Sequence, residues 1–263
     1  MSRFEDKVVI ITGSSAGIGQ AAALAFAKEG ASVTIHGRST DGIKRTVELL
    51  TSHGIPEKRI QTVQGAIEDE TTCHLIIEKT VDKFGKIDVL VNNAGLACKP
   101  NTAITSLENF DYLFKVNVRS CILLTELAVP YLEKTKGNII NVSSATAIKT
   151  TPYIAFYGMS KAALDHFCRN YAVMLAPKGI RVNNLNPGPL DTEFHEKRGA
   201  SKEEVGKMKE WAKQAIPLRR FGNAEEMAPY LLFLAHDATY TTGTIMLADG
   251  GSCVHSPVPQ KSD

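Results

Sequence analysis

The feature that most limits the fold of this chain is a repeated alternation of short apolar, β-branched runs with helix-length segments. Seven such runs are spread over the 263 residues. Parallel strands need long crossover connections and are buried on both faces, so the alternation predicts a seven-stranded, doubly wound parallel sheet with helices on both faces. The runs are KVVIITG, ASVTIHG, IQTVQG, KIDVLVNNAG, GNIINVSS, IRVNNLNPG and TGTIMLADGG.

The segments between these runs show the apolar periodicity of helices. No Pro/Ser-rich linker or internal repeat divides the chain, so we predict one α/β domain over residues 1–263. A charged helical stretch within about 193–215 departs from the alternation and predicts a small helical lid over a ligand. The polar, proline-containing sequence from about residue 254 to 263 predicts a loose tail. The predicted helices are 20–29, 41–52, 70–84, 107–134, 155–176 and 224–235.

The composition excludes several classes of function. Thirty basic residues against 28 acidic ones give no basic field for a nucleic acid or a membrane surface, and no apolar run has membrane-spanning length. The five cysteines are scattered and the seven histidines are dispersed, which favours reduced thiols and no metal site. A strand pattern begins within the first seven residues, so we expect a cytoplasmic protein without a leader peptide.

A glycine-rich turn, TGSSAGIG, lies between the first predicted strand and the first helix. Glycine permits a tight turn and close approach of the backbone to a pyrophosphate, while the helix N-terminus supplies N–H donors and partial positive charge. In this strand-turn-helix context the turn predicts a dinucleotide site and a Rossmann fold. The candidate binding residues of the turn are Gly13, Ser14, Ser15, Gly17, Ile18 and Gly19.

The end of the second strand indicates which dinucleotide is bound. An acidic residue there would bond the ribose 2′-hydroxyl of NAD and repel a 2′-phosphate, but this strand ends in Gly37, Arg38 and Ser39. A guanidinium can grip a phosphate with two hydrogen bonds, and the serine adds a donor. We therefore favour NADP(H) over NAD(H). Arg38 as an ordinary solvated loop charge is the alternative.

Taken in order, six motifs resemble the classical short-chain dehydrogenase/reductase family. Besides the glycine turn they are NNAG at 92–95, Asn117, NVSS at 141–144, Tyr157 with Lys161, and NPGPLDT at 186–192. The resemblance runs from about residue 7 to 251. It implies an oxidoreductase that interconverts a carbonyl and a secondary alcohol, a small-molecule substrate, and a homotetramer or homodimer. Enoyl-reducing members generally place six residues between the tyrosine and the lysine, whereas here there are three.

The physical chemistry of the Tyr157 and Lys161 pair agrees with this implication. Four residues apart on a helix, the two side chains share one face. Carbonyl reduction leaves an alkoxide that needs a proton, and a tyrosine with a pKa near ~10 is a poor donor at neutral pH. A cation one turn away lowers that pKa, so we predict Tyr157 as the general acid/base with Lys161 as its electrostatic support.

The resemblance assigns the other roles. Ser144 matches the family serine that orients the carbonyl and stabilises the oxyanion. Asn117 matches the asparagine that holds a relay water, although a mid-helix asparagine could instead satisfy a backbone group. Lys161 also holds the nicotinamide ribose. The remaining cofactor residues implied by the family are Asn93, Ala94, Gly95, Pro187, Gly188 and Thr192, with Thr192 at the carboxamide.

One departure from the family concerns the adenine. The third strand usually ends in an aspartate that caps the adenine amino group, but this chain has Ala66 and Ile67 at that turn. We expect the adenine to be held by the backbone of these residues or by Glu68.

The substrate is less constrained by the sequence. Apolar side chains near the motifs suit a hydrophobic ketone, although each could be ordinary packing. The candidate substrate residues are Leu96, Tyr153, Phe194, His195 and Trp211. Two further functions stay open, namely an NAD(H)-dependent alcohol dehydrogenase of the same family and a dinucleotide-binding protein without catalysis.

Overall fold

The computed structural model describes residues 2–192 and 201–254 of the chain. A single α/β domain is built on one sheet of seven strands in the order β3-β2-β1-β4-β5-β6-β7. Every neighbouring pair is parallel, as the sequence predicts. The strands are β1 Val8–Ile11, β2 Ser32–Gly37, β3 Ile60–Gln64, β4 Val89–Asn92, β5 Asn138–Val142, β6 Arg181–Pro187 and β7 Ile245–Ala248.

Helices cover both faces of this sheet because its strands are apolar on both sides. In β1, Val9 and Ile11 enter one core cluster, whereas Ile10 enters the cluster on the opposite face. Helices α1, α2 and α8 pack on the first face, and α3, α5 and α6 on the second. The helices are α1 Gly17–Lys28, α2 Thr40–Ser52, α3 Glu70–Phe84, α4 Leu107–Phe114, α5 Ser120–Thr135, α6 Ala155–Leu175, α7 Lys202–Ala215 and α8 Ala224–Ala235.

The helices agree with the sequence pattern except at one place. The predicted helix 107–134 is divided into α4 and α5 by a wider π-helical turn, Lys115–Arg119. Such turns cannot be read from apolar periodicity, and they often mark functional positions. The predicted lid contains α7, which a Ser201–Glu204 capping box starts. The lid's first residues, 193–200, lie outside the described residues.

The strand order places a ligand site at the carboxyl edge of the sheet. Strand β1 lies between β2 and β4, so the chain reverses its direction of winding there. Loops after β1 and β4 therefore diverge to opposite faces and leave a crevice between them. The motifs after β1, β4, β5 and β6 all emerge at this edge. Among the residues described, no helix combines the length and the apolar character needed to cross a bilayer.

Candidate active site

A cavity of about 860 Å³ runs along the carboxyl edge of the sheet. It begins at the glycine turn after β1, passes the ends of β4 and β5, and reaches α7. Most of the candidate residues predicted from sequence lie on its wall. They are Gly13, Ser15, Gly17, Ile18, Arg38, Ile67, Asn93, Ala94, Gly95, Leu96, Ser144, Tyr153, Tyr157, Lys161, Pro187, Gly188, Thr192 and Trp211.

The glycine turn is shaped by a left-handed backbone and by close packing. Gly17 has φ +56°, and a Cβ built there would meet no atom nearer than Thr192 at 4.0 Å. A Cβ on Gly19 would instead lie 2.5 Å from Asn93 Nδ2 and 2.6 Å from the Gly13 carbonyl. Gly17 therefore leaves space for a ligand, whereas Gly19 permits α1 to pack on the turn. No acidic residue lies in the first turn of α1.

Two candidate polar side chains at this end of the site, those of Ser14 and Asn93, hold the glycine turn in place. The Ser14 hydroxyl is buried, donates to the Ile11 carbonyl at 2.7 Å and accepts from the His36 N–H at 3.0 Å. Its side chain therefore supports the turn and does not reach the cavity. Asn93 does line the cavity, but its amide donates to the Thr12 and Gly13 carbonyls at 2.8 and 3.2 Å. That amide serves the turn as well.

His36 is a lining residue that sequence analysis did not identify. Its Nδ1 accepts from the Gly13 N–H at 3.2 Å, and its Nε2 lies 3.1 Å from the Gly65 carbonyl. These partners fix the neutral tautomer with hydrogen on Nε2. Burial lowers the pKa of His36 to about 4. A buried histidine in an apolar strand looks like core in the sequence, and only strand pairing shows that it reaches the glycine turn.

Arg38 lies exposed at the rim of the cavity near a carboxylate and a phenol. Glu68 lines the cavity, and its Oε1 accepts from the Tyr112 hydroxyl at 3.0 Å. Arg38 faces Tyr112 and lowers its pKa, while burial and Glu68 raise it more. Ser39 does not line the cavity, because its hydroxyl caps α2 by accepting from the Gly42 N–H at 3.1 Å.

Two positions follow strand β3 at this rim. Ile67 is buried and forms part of the cavity wall, whereas Ala66 is half-buried and does not line the cavity.

Ser144, Tyr157 and Lys161 converge at the middle of the cavity. The Tyr157 hydroxyl is hydrogen-bonded to Ser144. Lys161 Nζ lies 5.7 Å from the centroid of the Tyr157 ring and donates to the Val142 carbonyl at 2.8 Å. Ser143, the neighbour of Ser144, points to the other side and donates to the Lys161 carbonyl at 3.1 Å. The two neighbouring serines therefore face opposite sides, as side chains alternate along an extended backbone.

The pKa values of this group differ from the sequence expectation. Burial raises the pKa of Tyr157 to about 12, and the hydrogen bond with Ser144 opposes this rise. Burial also lowers the pKa of Lys161 to about 8, while Cys121 and Asp165 oppose that fall. Desolvation therefore dominates over attraction between the two side chains in the protein chain alone. Ser144 is the protein group that favours the phenolate.

Asn117 lies in the π-helical turn, fully buried behind Gly95 and Lys161. Its amide accepts from the Leu96 N–H at 2.9 Å and donates to the Leu96 carbonyl at 2.9 Å and the Ser160 hydroxyl at 3.0 Å. A Cβ on Gly95 would lie 3.2 Å from Lys161 Nζ and 3.3 Å from Asn117 Oδ1. Asn117 thus ties the loop after β4 to the helix that carries Tyr157, and its side chain is not on the cavity wall.

A chain of buried amides connects the strands beneath this group. Asn92 donates to Asn141 at 2.9 Å and thereby joins β4 to β5, and Asn141 donates to Asn184 at 2.8 Å. Asn184 and Asn186 both donate to the Asp165 carboxylate at 2.9 Å. Asn186 also donates to the Ser144 carbonyl at 3.0 Å, so the network fixes the backbone of Ser144.

The far end of the cavity combines apolar and polar walls. Leu96 is half-buried and Ile154 is buried, whereas Tyr153 and Trp211 are 64% and 48% exposed. Thr146, Lys149 and Ser252 add polar groups that sequence analysis did not single out. Phe194 and His195 lie outside the described residues. In residues 2–192 and 201–254, no group of three or more His, Cys, Asp or Glu could hold a metal ion.

The chain is similar to known reductases over nearly its whole length. A family model described as enoyl-(acyl carrier protein) reductase matches residues 13–253. The chain is 38% identical over 251 residues to 3-oxoacyl-[acyl-carrier-protein] reductase FabG of Thermotoga maritima, covering 95% of this chain and 98% of that protein.

Two solved structures from Caenorhabditis elegans have closely similar folds. A short-chain dehydrogenase/reductase of unknown function, solved with cofactor, has a TM-score of 0.92 and 38% identity, covering 96% of this chain and 97% of that one. A glucose dehydrogenase in the apo form has a TM-score of 0.84 and 37% identity, covering 96% of this chain and 100% of that one.

Proposed function

Because the chain belongs to the short-chain dehydrogenase/reductase family, we propose that it interconverts a carbonyl and a secondary alcohol with NADP(H), using Tyr157 as general acid/base. The family is one of oxidoreductases that bind a nicotinamide dinucleotide, and relatives of this chain act on alcohol or carbonyl groups. The observation that carries the proposal is the convergence of Ser144, Tyr157 and Lys161 on a cavity that begins at a glycine turn.

The residues of the cavity fit a dinucleotide. The open space at Gly17, the N-terminus of α1 without acidic side chains and the N–H groups of the turn suit a pyrophosphate. Within the part of the chain that the structure describes, Lys161 Nζ donates to one acceptor, the Val142 carbonyl, which leaves ammonium hydrogens for ribose hydroxyls. When bound, the nicotinamide would supply or accept the hydride.

The protein's own groups would handle the proton and the developing charge. Ser144 stabilises the oxyanion by hydrogen bonding, and Tyr157 donates the proton during reduction. Lys161, with a pKa of about 8, is still mainly protonated at pH 7 and contributes positive charge beside the phenol. The buried walls exclude water from these groups, which strengthens each electrostatic interaction.

The test of this proposal is a screen of ketones and alcohols with each nicotinamide cofactor. Tyr157→Phe removes the transferable proton and is expected to lower kcat by ~10²–10⁴-fold while NADPH binding persists. Tyr240→Phe, at a fully exposed tyrosine, is the matched control and keeps wild-type turnover. Unchanged turnover in Tyr157→Phe would refute the role of the phenol. Nucleotide binding without turnover of any substrate would favour the non-catalytic alternative.

The preference for NADP(H) rests on Arg38 at the rim and on Gly37 in place of an acidic residue at the end of β2. The carboxylate of Glu68 at the same end, and the use of Ser39 as a helix cap, favour NAD(H) as the second candidate. Loss of a charged hydrogen bond in Arg38→Ala should raise the KM for NADPH by ~10–100-fold and spare NADH. The exposed Arg45→Ala is the control, and an unchanged preference would contradict the assignment.

Two finer features complete the proposal. Leu96, Ile154 and Trp211 at the far end of the cavity support a ketone or alcohol with a hydrophobic substituent.

A second copy of the chain is the expected protein partner, in a homotetramer or homodimer. Val173 and Met174 on α6 are 76% and 60% exposed, and such apolar side chains are typical of subunit interfaces. Light scattering of the purified protein measures its mass directly.

A further inference from the structure

The surroundings of Ser144 contain a second hydroxyl whose role the proposed mechanism does not use. Ser144 lies two residues after the end of β5 and caps the short 3₁₀ turn Ala145–Ala147. Its Oγ accepts from the Thr146 N–H at 3.1 Å and from the Thr146 hydroxyl at 2.9 Å. A serine oxygen has two lone pairs and one hydrogen. Two donors from one residue therefore fill its accepting capacity.

This arrangement determines the direction of the bond between Ser144 and Tyr157. Because both lone pairs of Ser144 Oγ are used, the serine has only its hydrogen left to share. We infer that Thr146 is a positioning residue, which turns the Ser144 hydrogen toward the oxygens of Tyr157 and of a bound carbonyl. The inference rests on the proposed function for its catalytic consequence, but the hydrogen-bond direction is a property of the chain itself.

The backbone holds Thr146 in place beside the helix that carries Tyr157. A Cβ on Gly158, the residue after Tyr157, would lie 3.0 Å from the Thr146 carbonyl, so this glycine permits the turn to pack directly on α6. The Ala145 carbonyl accepts from the Lys149 N–H at 2.8 Å, and Asn186 holds the Ser144 carbonyl. The threonine hydroxyl is therefore delivered to Ser144 by a turn that is fixed on both sides.

Loss of the Thr146 hydroxyl would have a specific chemical effect. One lone pair of Ser144 Oγ would become available, and the Tyr157 hydroxyl could then donate its hydrogen to Ser144. The Tyr157 proton that the substrate needs would then point at Ser144 Oγ and not at the substrate oxygen. Donation by Thr146 also polarises the Ser144 hydroxyl, which makes it a stronger donor to a phenolate or an oxyanion. Without that polarisation the phenolate is less stable, so the apparent pKa of Tyr157 rises.

The kinetic test compares Thr146→Val, which keeps the shape but removes the hydroxyl, with Thr146→Ser, which keeps the hydroxyl. We expect Thr146→Val to lower kcat about tenfold, which is less than the ~10²–10³-fold loss when an oxyanion donor is removed outright. The KM for the cofactor should stay within about twofold. The pH profile of kcat for alcohol oxidation should shift to higher pH, and Thr146→Ser should restore both values. Thr62→Val, at an exposed threonine on β3, is the matched control.

Two kinetic outcomes would overturn the inference. One is a Thr146→Val enzyme with wild-type kcat and pH profile. The other is a Thr146→Ser enzyme whose kcat falls as much as that of Thr146→Val, since a change in packing alone would then explain the effect. If Thr146→Val does not fold, Thr146→Ala is compared with Thr146→Ser in its place.

Neutron diffraction of deuterated crystals tests the inference without turnover. We expect the Ser144 deuterium to point at the Tyr157 oxygen in the wild type, and the Tyr157 deuterium to point at Ser144 in Thr146→Val. A wild-type Tyr157 deuterium directed at Ser144 would refute the inference even in an active enzyme. A wild type that turns over no substrate would instead count against the proposed function alone.

Discussion

His36 gives the chain a pH-dependent stability that can be calculated from its surroundings. The neutral ring joins the glycine turn to the end of β3 by accepting from Gly13 and donating to Gly65. Protonation would place a hydrogen on Nδ1, facing the Gly13 N–H, and would bury a positive charge. Burial is the main reason that the pKa falls from its ordinary 6.5 to about 4, with a smaller contribution of the same sign from Arg38. The Gly65 carbonyl and Glu68 act in the opposite direction.

The magnitude follows from the difference between the folded and unfolded pKa of His36. Between pH 6.5 and about 4 the unfolded chain binds a proton that the folded chain does not bind. The free energy of unfolding therefore falls as the pH falls through this window, by about 3 kcal/mol in all. Above pH 6.5 this group contributes no pH dependence, because it is neutral in both states.

The assay is urea denaturation of the wild type and of His36→Asn across this pH range. Asparagine keeps an acceptor near the position of Nδ1 but does not titrate. The difference in unfolding free energy between the two proteins should change by about 3 kcal/mol between pH 7 and pH 4, since the other titrating groups cancel. His74→Asn, at an exposed histidine on α3, is the control. A His36→Asn profile parallel to that of the wild type would refute the argument.

Two further predictions concern the glycine turn and the buried network. Gly19→Ala puts a Cβ 2.5 Å from Asn93 Nδ2 and should lower the free energy of unfolding, measured by thermal denaturation, by more than ~2 kcal/mol. Gly17→Ala should lower the free energy of unfolding by about 1 kcal/mol and should chiefly weaken nucleotide binding, measured by calorimetry. Equal stability of the two variants would contradict this contrast. Asp165→Ala leaves the amides of Asn184 and Asn186 without their acceptor. The free energy of unfolding, measured by chemical denaturation, should therefore fall by about 3 kcal/mol. A fall of less than about 1 kcal/mol would show that the network does not stabilise the fold.

The fold was largely predictable because it depends on periodic features of the sequence. The seven apolar runs became the seven parallel strands, and helices α3 and α8 begin and end at the predicted residues. The break at Lys115–Arg119 was not predictable, because a single π-helical turn is too short to be recognised from apolar periodicity. The candidate site was partly predictable for the same reason, since its motifs follow strand ends in a fixed order.

The sequence by itself determined the parallel sheet, the edge of the sheet at which a ligand site is expected, and the helix face that Tyr157 and Lys161 share. These follow from local periodicity and from residues four apart on a helix. Tertiary structure alone decided which groups touch. It placed His36 against Gly13, turned Ser14 and Asn117 away from the cavity, and brought the Thr146 hydroxyl to Ser144. Such contacts depend on strand register and on packing between distant segments, which no local pattern encodes.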